Sequence, residues 1–367
     1  MDSPSLTRMV VILHHLLFVV GVAKDAAFAE ALKKKQEKRH GAFTKNTTPR
    51  GHLRSAAKAA KPLEVSLERF LARPVSRPAA LNARIWVAAL RRLGPRLRRV
   101  LAFGLGSLAF ALGIRRRIAL ENLRRAFPEH SPKACRRIAR ASYGHMFLSA
   151  LEGVCGHILE GDISLELGNW HDLEEALERE GGGGILVASA HFGSWELMAE
   201  LMAARGMRLA AVVRPLAGAF NAQLFKARYE AGMALIHPRG ALRHMLRALR
   251  EGKVVVQLID QSLAAEKAIF VPFFGRMTAT APALSMAAVV SKAPTYLVLS
   301  ERTRDGMRIL VEGPFVVEAK ADSKAELSRH LGQLTAALEA HIRRCPEQWM
   351  WVHRRWKVPY TPPSSEG

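Results

Sequence analysis

From residue 185 onward, short apolar runs alternate with longer amphipathic stretches. "ILVASA" (185–190), "RLAAVVRP" (208–215), "KVVVQLIDQ" (253–261) and "PTYLVLSER" (294–302) have the length and apolar density of buried strands. Between them, "FNAQLFKARYEAG", "GALRHMLRALREG" and "APALSMAAVVSKA" place apolar residues at helical spacing and end in glycine, or in lysine and alanine. This alternation predicts an α/β fold, a mixed sheet with helices on both faces.

Upstream, helical periodicity dominates residues 82 to 160, so a helical N-terminal part precedes the sheet. Its clearest element is "EHSPKACRRIARASYGHMFLSALEG", with Ser131 as the cap and Pro132 at the first helical position. The pattern divides the chain into a basic extension (1–80), one compact domain (81–360) and a short tail (361–367). Within the extension, "MVVILHHLLFVVGVA" is an apolar run of signal-peptide length, and "KKKQEKRH" opens a basic, linker-like stretch. A membrane anchor, a targeting segment and a non-native extension all match that pattern.

Charge changes the picture more than composition does. The chain carries 55 Lys and Arg against 32 Asp and Glu, a formal net charge of +23, which calls for a polyanionic partner surface. Aromatics make up 7% of the 367 residues, and the chain has no zinc-finger spacing, zipper heptads or RNA-binding aromatic signature, so no nucleic-acid partner is expected. In "RLRRVLAFGLGSLAFALGIRRR" arginine clusters flank the fifteen apolar or small residues Val100 to Ile114. As a helix these span about 22 Å, short of the roughly 30 Å hydrocarbon core of a bilayer. They therefore read either as an interfacial segment with arginines reaching headgroups or as a core helix with solvated ends. The three cysteines, Cys135, Cys155 and Cys345, have no paired spacing and suit a reducing compartment.

The candidate chemistry lies where "ILVASA" runs into "HFGSWELMAE". His191 and Glu196 are five residues apart, which on one helix would put them roughly 140° apart. They can meet only if His191 lies on non-helical backbone and Glu196 enters from the first turn of the next helix, which Ser194 would cap. A histidine oriented by a carboxylate is the base half of a catalytic triad, and where the substrate brings its own hydroxyl no enzyme nucleophile is needed. Acyl transfer to an alcohol is the natural reaction. The pattern alone also suits an unrelated histidine followed by an ordinary first-turn acid. A helical zinc pair at i and i+4 is lacking here, and no metal is expected. Cys155 beside His157 is a weaker alternative, a buried inert thiol being the usual case. Two more strand ends carry polar residues: Arg214 in "VVRPL", and Asp260 with Gln261 in "QLIDQS". They read as substrate-binding or histidine-holding groups, or as loop caps. Phe273 and Phe274 in "IFVPFFGRM" read as an apolar wall for an acyl chain or as a core edge.

Taken together, these residues resemble the bacterial lipid A late acyltransferases, the lauroyl and myristoyl transferase family with a glycerolipid acyltransferase-like fold. The likeness covers Leu93 to Lys357 and rests on "ENLRRAFPE", "AHFGSWE", "RP" (214–215), "DQ" (260–261), "FVPFFG" and "PEQWMWVHRRWK", in that order. The resemblance implies a fatty acyl group moved from the thioester of acyl carrier protein, with acyl-CoA as the other possible donor, to a hydroxyl of a lipid A precursor. It implies the cytoplasmic face of the inner membrane, no other cofactor, and His191 with Glu196 as the catalytic dyad. It further implies that Arg214, Asp260 and Gln261 belong to the site and that Arg354, Arg355 and Lys357 meet the phosphates of an anionic glycolipid. Acyl carrier protein is acidic, so the basic surface suits the donor as well. The long extension departs from the family pattern, as does "ARIWVAALRRL" (83–93), too short and too basic to span a membrane. The alternatives are an acyltransferase for a lysophospholipid, mannoside or aminolipid acceptor, and a non-catalytic protein binding anionic lipid.

Overall fold

The computed structural model describes residues 77–155, 164–179, 183–214, 219–318 and 323–361. The expected extension, with its apolar run and basic stretch, therefore lies almost wholly outside the described residues, as do His157 and Pro215.

Four helices lead the described chain: α1 (Arg77–Arg91), α2 (Pro95–Ala111), α3 (Arg116–Ala126) and α4 (Pro132–Cys155). The Ser131 hydroxyl accepts the Ala134 N–H at 3.2 Å, as its place before Pro132 predicts. The apolar run between the arginine clusters becomes α2, whose small residues Ala102, Gly106 and Ala109 form its buried face. That face meets α4 at backbone distance. A Cβ on Gly106 would fall 2.6 Å from the Gly144 nitrogen, and one on Gly144 would strike the Phe103 ring. The opposite face leaves Leu97, Val100 and Leu112 exposed. The helix is thus packed on one side and open on the other. Among the described residues no single helix is long and apolar enough to cross a membrane; α2 and α3 pass that test only together, and they are bent by 93°.

The rest is the expected mixed α/β layer. It runs β1 (Ser164–Leu167), α5 (Trp170–Glu178), β2 (Leu186–Ser189), α6 (Trp195–Ala204), β3 (Leu209–Val212), α7 (Ala219–Glu230), β4 (Ala234–Ile236), α8 (Ala241–Arg250) and β5 (Val254–Leu258). It continues through the hairpin β6 (Ile269–Phe273) and β7 (Arg276–Thr280), then α9 (Ala283–Ser291), β8 (Thr295–Arg302), β9 (Gly306–Phe315) and α10 (Ser323–Arg344). The seven-stranded sheet has the order β1-β9-β8-β2-β5-β3-β4. All its pairs are parallel except β8 with β9.

Strand periodicity sorts the core into two layers. Leu186 and Ala188 of β2 face one layer with Met245 of α8, Leu284 of α9 and Leu338 of α10. Val187 faces the other, with Leu173 of α5, Leu201 of α6 and Phe225 of α7. Helices therefore cover both faces, and β2 and β5, buried on both sides, lie in the middle. Phe273 and Phe274 settle into the core rather than into an open wall: they are 0% and 5% exposed and pack against Trp349, Trp351 and Trp356. The two-residue turn of the hairpin puts Phe274 itself at φ 51°, a left-handed conformation uncommon for a bulky residue, with its N–H given to the Glu339 carboxylate.

Candidate active site

His191 lies two residues beyond β2 and Asp260 two beyond β5, at the carboxyl ends of adjacent central parallel strands. Open α/β sheets place their chemistry at this edge. The Asp260 Oδ1 faces the His191 Nδ1 at 2.9 Å, while its Oδ2 accepts the His191 backbone N–H and the Trp349 indole N–H, each at 2.9 Å. Burial alone would hinder ionisation of Asp260, but the His191 charge, the two His191 hydrogen bonds and the Trp349 bond outweigh it and hold the carboxyl at about 2. A carboxylate on Nδ1 selects the tautomer in which that nitrogen carries the proton and Nε2 is the one able to accept. Nε2 points to the Gln261 amide nitrogen at 3.4 Å, and the His191 side chain keeps 16% of its surface exposed. The site thus holds a histidine oriented by a carboxylate, its second ring nitrogen lying beside the Gln261 amide.

Glu196, expected to orient His191, is engaged elsewhere. It enters from the first turn of α6, as predicted, but its carboxylate pairs with Arg228 of α7 and accepts the Trp195 indole N–H at 3.0 Å. The correction is that Asp260, 69 residues away in sequence, takes the orienting position. The physical reason is the crossover: two parallel neighbours bring their carboxyl ends side by side, whereas the first turn of α6 carries Glu196 back along the face of the sheet. One turn further, the Glu200 carboxyl is pushed up to about 7, by burial first and then by the Glu196 charge.

The turn between β2 and α6 is clamped from beneath. Arg302, at the end of β8, forms a two-pronged ion pair with Glu152 of α4 and also bonds the Ser149 hydroxyl and the Gly193 carbonyl. Ser194 stands at the expected cap position, yet its hydroxyl donates to Glu152 at 2.7 Å and its N–H to the Ser300 hydroxyl at 2.8 Å. At Gly193, φ is 56° and a Cβ would lie 1.6 Å from the Ser300 carbonyl oxygen, so only glycine fits.

The segment after α10 closes the site from the other side. Gly193 N–H bonds the Gln348 carbonyl and Met350 N–H the His191 carbonyl. Asn122 of α3, from the "ENLRRAFPE" stretch, holds that segment in place by donating to the Trp351 and His353 carbonyls. The His353 Nε2 accepts the Ser262 N–H at 2.9 Å, next to Gln261. Burial, against the pull of Asp260 and with the His191, Arg355 and Lys357 charges adding to it, holds His353 at about 3, a neutral ring at ordinary pH.

Arg214 stands exposed at the end of β3, two strands from His191 on the same sheet edge, which strand spacing makes about 10 Å. Arg354 and Lys357 are exposed as expected, but Arg355 is not. It is 1% exposed, bonds the Ala279 carbonyl and the Thr280 hydroxyl, and stacks over the Phe273 ring. Arg355 points inward from this turn-rich segment, and burial lowers its guanidinium to about 10.

Trp195, Arg228, Trp349, His353 and the Glu152–Arg302 pair were not among the residues singled out from sequence. The "PEQWMWVHRRWK" stretch carried Trp349 and His353, but their partners come from strands and helices far along the chain.

The family model for bacterial lipid A biosynthesis acyltransferases matches residues 79–358. The chain is 26% identical to the lipid A biosynthesis palmitoleoyltransferase of Escherichia coli (strain K12) over 260 residues, covering 66% of this chain and 79% of the relative. It is also 26% identical to the lauroyltransferase of lipid A biosynthesis from the same strain over 267 residues, covering 70% and 84%. The lipid A biosynthesis acyltransferase of Shigella flexneri is similar at 26% over 260 residues.

Proposed function

The chain belongs to the family of bacterial lipid A biosynthesis acyltransferases, and we propose that it transfers a fatty acyl group from the thioester of acyl carrier protein to a hydroxyl of a lipid A precursor, with His191 as general base and Asp260 as its orienting carboxylate. The observation that carries this reading is the Asp260 carboxylate fixed on the His191 Nδ1, with Nε2 beside the Gln261 amide on a side chain that keeps 16% of its surface exposed.

In the proposed step the acceptor hydroxyl oxygen attacks the thioester carbonyl carbon while its proton passes to the His191 Nε2. The tetrahedral adduct collapses by breaking the carbon–sulfur bond, and the same proton passes from Nε2 to the departing sulfur. An ester and a free thiol result, and the histidine returns neutral. Asp260 stabilises the imidazolium during this exchange and stays ionised throughout. General-base help of this kind contributes about 10²–10⁴ in rate. The Gln261 amide N–H, beside Nε2, is placed to donate to the oxygen that gains charge.

A basic chain that uses an acidic carrier protein and a phosphorylated glycolipid gains from its net charge of +23 on both counts. The proposed place of action is the cytoplasmic face of the inner membrane. The exposed arginines near α2 and the open apolar row Leu97, Val100 and Leu112 support contact with an anionic lipid surface.

The test is mass spectrometry of lipid A from a Gram-negative host that lacks its own late acyltransferases and expresses this protein or its His191→Ala variant. A gain of one fatty acyl group with the wild type alone is expected, and its mass gives the chain length. Equal gain with both proteins would refute His191 as the base. No gain with either, both being present in membranes, would move the acceptor to another lipid hydroxyl.

A further inference from the structure

The acid five residues after the histidine has no direct bond to it, yet it is held with unusual care. The Glu196 Oε2 accepts the Arg228 Nε at 3.1 Å, the second Arg228 prong reaches Oε1, and the same Oε1 accepts the Trp195 indole N–H at 3.0 Å. Glu196 and Arg228 are both largely buried. The Glu196 stem lies against α4 at Gly153, where a Cβ would come within 2.7 Å of its Cγ. A carboxylate clamped by an arginine, an indole and a helix backbone has no freedom to turn toward His191.

The indole that Glu196 holds does touch the histidine. The Trp195 and His191 rings meet edge to face, with centroids 5.2 Å apart and planes at 66°. The Asp260 bond on Nδ1 fixes one point of the imidazole but leaves the ring able to swing about that point. A second contact from outside the ring plane removes this swing. The ring contact with Trp195 supplies it, and the indole N–H to Glu196 keeps the indole in place.

We propose that Glu196 is a positioning residue that acts on His191 through the indole of Trp195, with Arg228 holding the carboxylate in place. This rests on the reading of His191 as the base. It assigns the two acids separate roles: Asp260 sets the tautomer, and Glu196 sets the tilt of the ring through an intermediary. The relay has two links at position 195, the ring contact with His191 and the indole N–H to Glu196; phenylalanine would keep the first and leucine neither.

A double-mutant cycle tests it, using purified full-length protein with acyl carrier protein thioester and a lipid A precursor in mixed micelles. Glu196→Ala and Trp195→Phe are each expected to lower kcat about ten- to a hundredfold with KM little changed. The pH dependence of kcat/KM should keep its shape, because the tautomer-setting Asp260 is intact. The double variant should be no slower than the worse single variant, since both changes cut the same relay. Glu196→Gln, which keeps the acceptor for the indole N–H, should recover part of the loss. Losses that multiply in the double variant, or a shift of the acid limb in Glu196→Ala alone, would overturn the relay. If Glu196→Ala does not fold, Trp195→Phe against Trp195→Leu decides: the relay expects Leu to be the slower, and equal rates would overturn it. His191→Ala in the same assay separates the two levels. Its full activity would remove the base reading and the relay with it, whereas an inactive His191→Ala with multiplying losses would remove the relay alone.

Discussion

Trp349 gives its indole N–H to the same Asp260 oxygen that accepts the backbone N–H of His191, while the other oxygen of that carboxylate holds the imidazole. The orienting acid is thereby saturated with three donors, two of them from the residue it serves. Its geometry is fixed before any substrate arrives, the condition under which a base is most effective.

Asp260→Asn tests that arrangement. An amide cannot accept from all three donors, and where it turns its NH₂ to Nδ1 it selects the wrong imidazole tautomer. The expected loss in kcat is about 10²–10⁴, with KM little changed. Steady-state kinetics with both substrates varied checks this, and a change confined to KM would place Asp260 in substrate binding instead.

The Glu152–Arg302 pair is buried, with side chains 11% and 8% exposed. Removing one partner strands the other charge in the core. Glu152→Ala is expected to destabilise the fold by about 3–5 kcal/mol, seen in urea unfolding as a lower midpoint. A loss below about 1 kcal/mol would mean that Arg302 finds another partner at little cost.

Gly193→Ala puts a methyl group 1.6 Å from the Ser300 carbonyl oxygen on backbone at φ 56°. The turn must open, and His191 moves with it. Both a lower melting temperature and loss of activity are expected; an active, equally stable variant would show that the turn yields without displacing the base.

Acid stability follows from His353. Its folded pKa is depressed to about 3, against an ordinary value near 6.5, so the stability it contributes is fully present above pH 6.5 and is lost as pH falls toward 3. In that window the unfolded chain binds the extra proton, and the slope is up to roughly 1.4 kcal/mol per pH unit. His145, which burial also holds at about 3, adds a second contribution of the same sign. His353→Gln is expected to flatten the dependence between pH 6.5 and 4 in denaturant titrations; an unchanged slope would mean that His353 protonates without opening the structure.

Neighbouring arginines should separate by phenotype. Exposed Arg354 and Lys357, changed together to Glu, are expected to weaken binding to vesicles containing anionic lipid at unchanged melting temperature. Buried Arg355→Met is expected to alter the melting temperature with vesicle binding retained. Co-sedimentation and thermal scans distinguish them, and the reverse assignment would contradict the burial of Arg355.

The central strands and their helices were legible because both kinds of periodicity were strong: β2, β3, β5 and β8 fall within the expected runs, and α7, α8 and α9 between them. The short strands β1 and β4 and the β6–β7 hairpin were not, since three to five residues carry little period and "IFVPFF" reads equally well as a core edge. In the site, His191, Asp260, Gln261 and Arg214 could be found as polar residues at strand ends. What could not be read was which acid reaches the histidine. That depends on β2 and β5 being neighbours, a long-range pairing that local spacing does not encode, and nearness in sequence favoured Glu196. The inward turn of Arg355 was hidden for a similar reason, because its partners Ala279 and Thr280 lie on a strand of the unforeseen hairpin.

The bonds from Gln348, Trp349 and Met350 to the turn at residues 191–193 and to Asp260 carry a consequence for the order in which the protein becomes competent. On the ribosome, His191 emerges long before the segment that braces it. Until that later segment docks, Asp260 lacks one of its donors and the turn lacks one of its walls. A nascent or truncated chain would hold every residue of the reacting pair and still lack a finished centre, so the power to modify lipid is withheld until almost the whole domain has been made and folded.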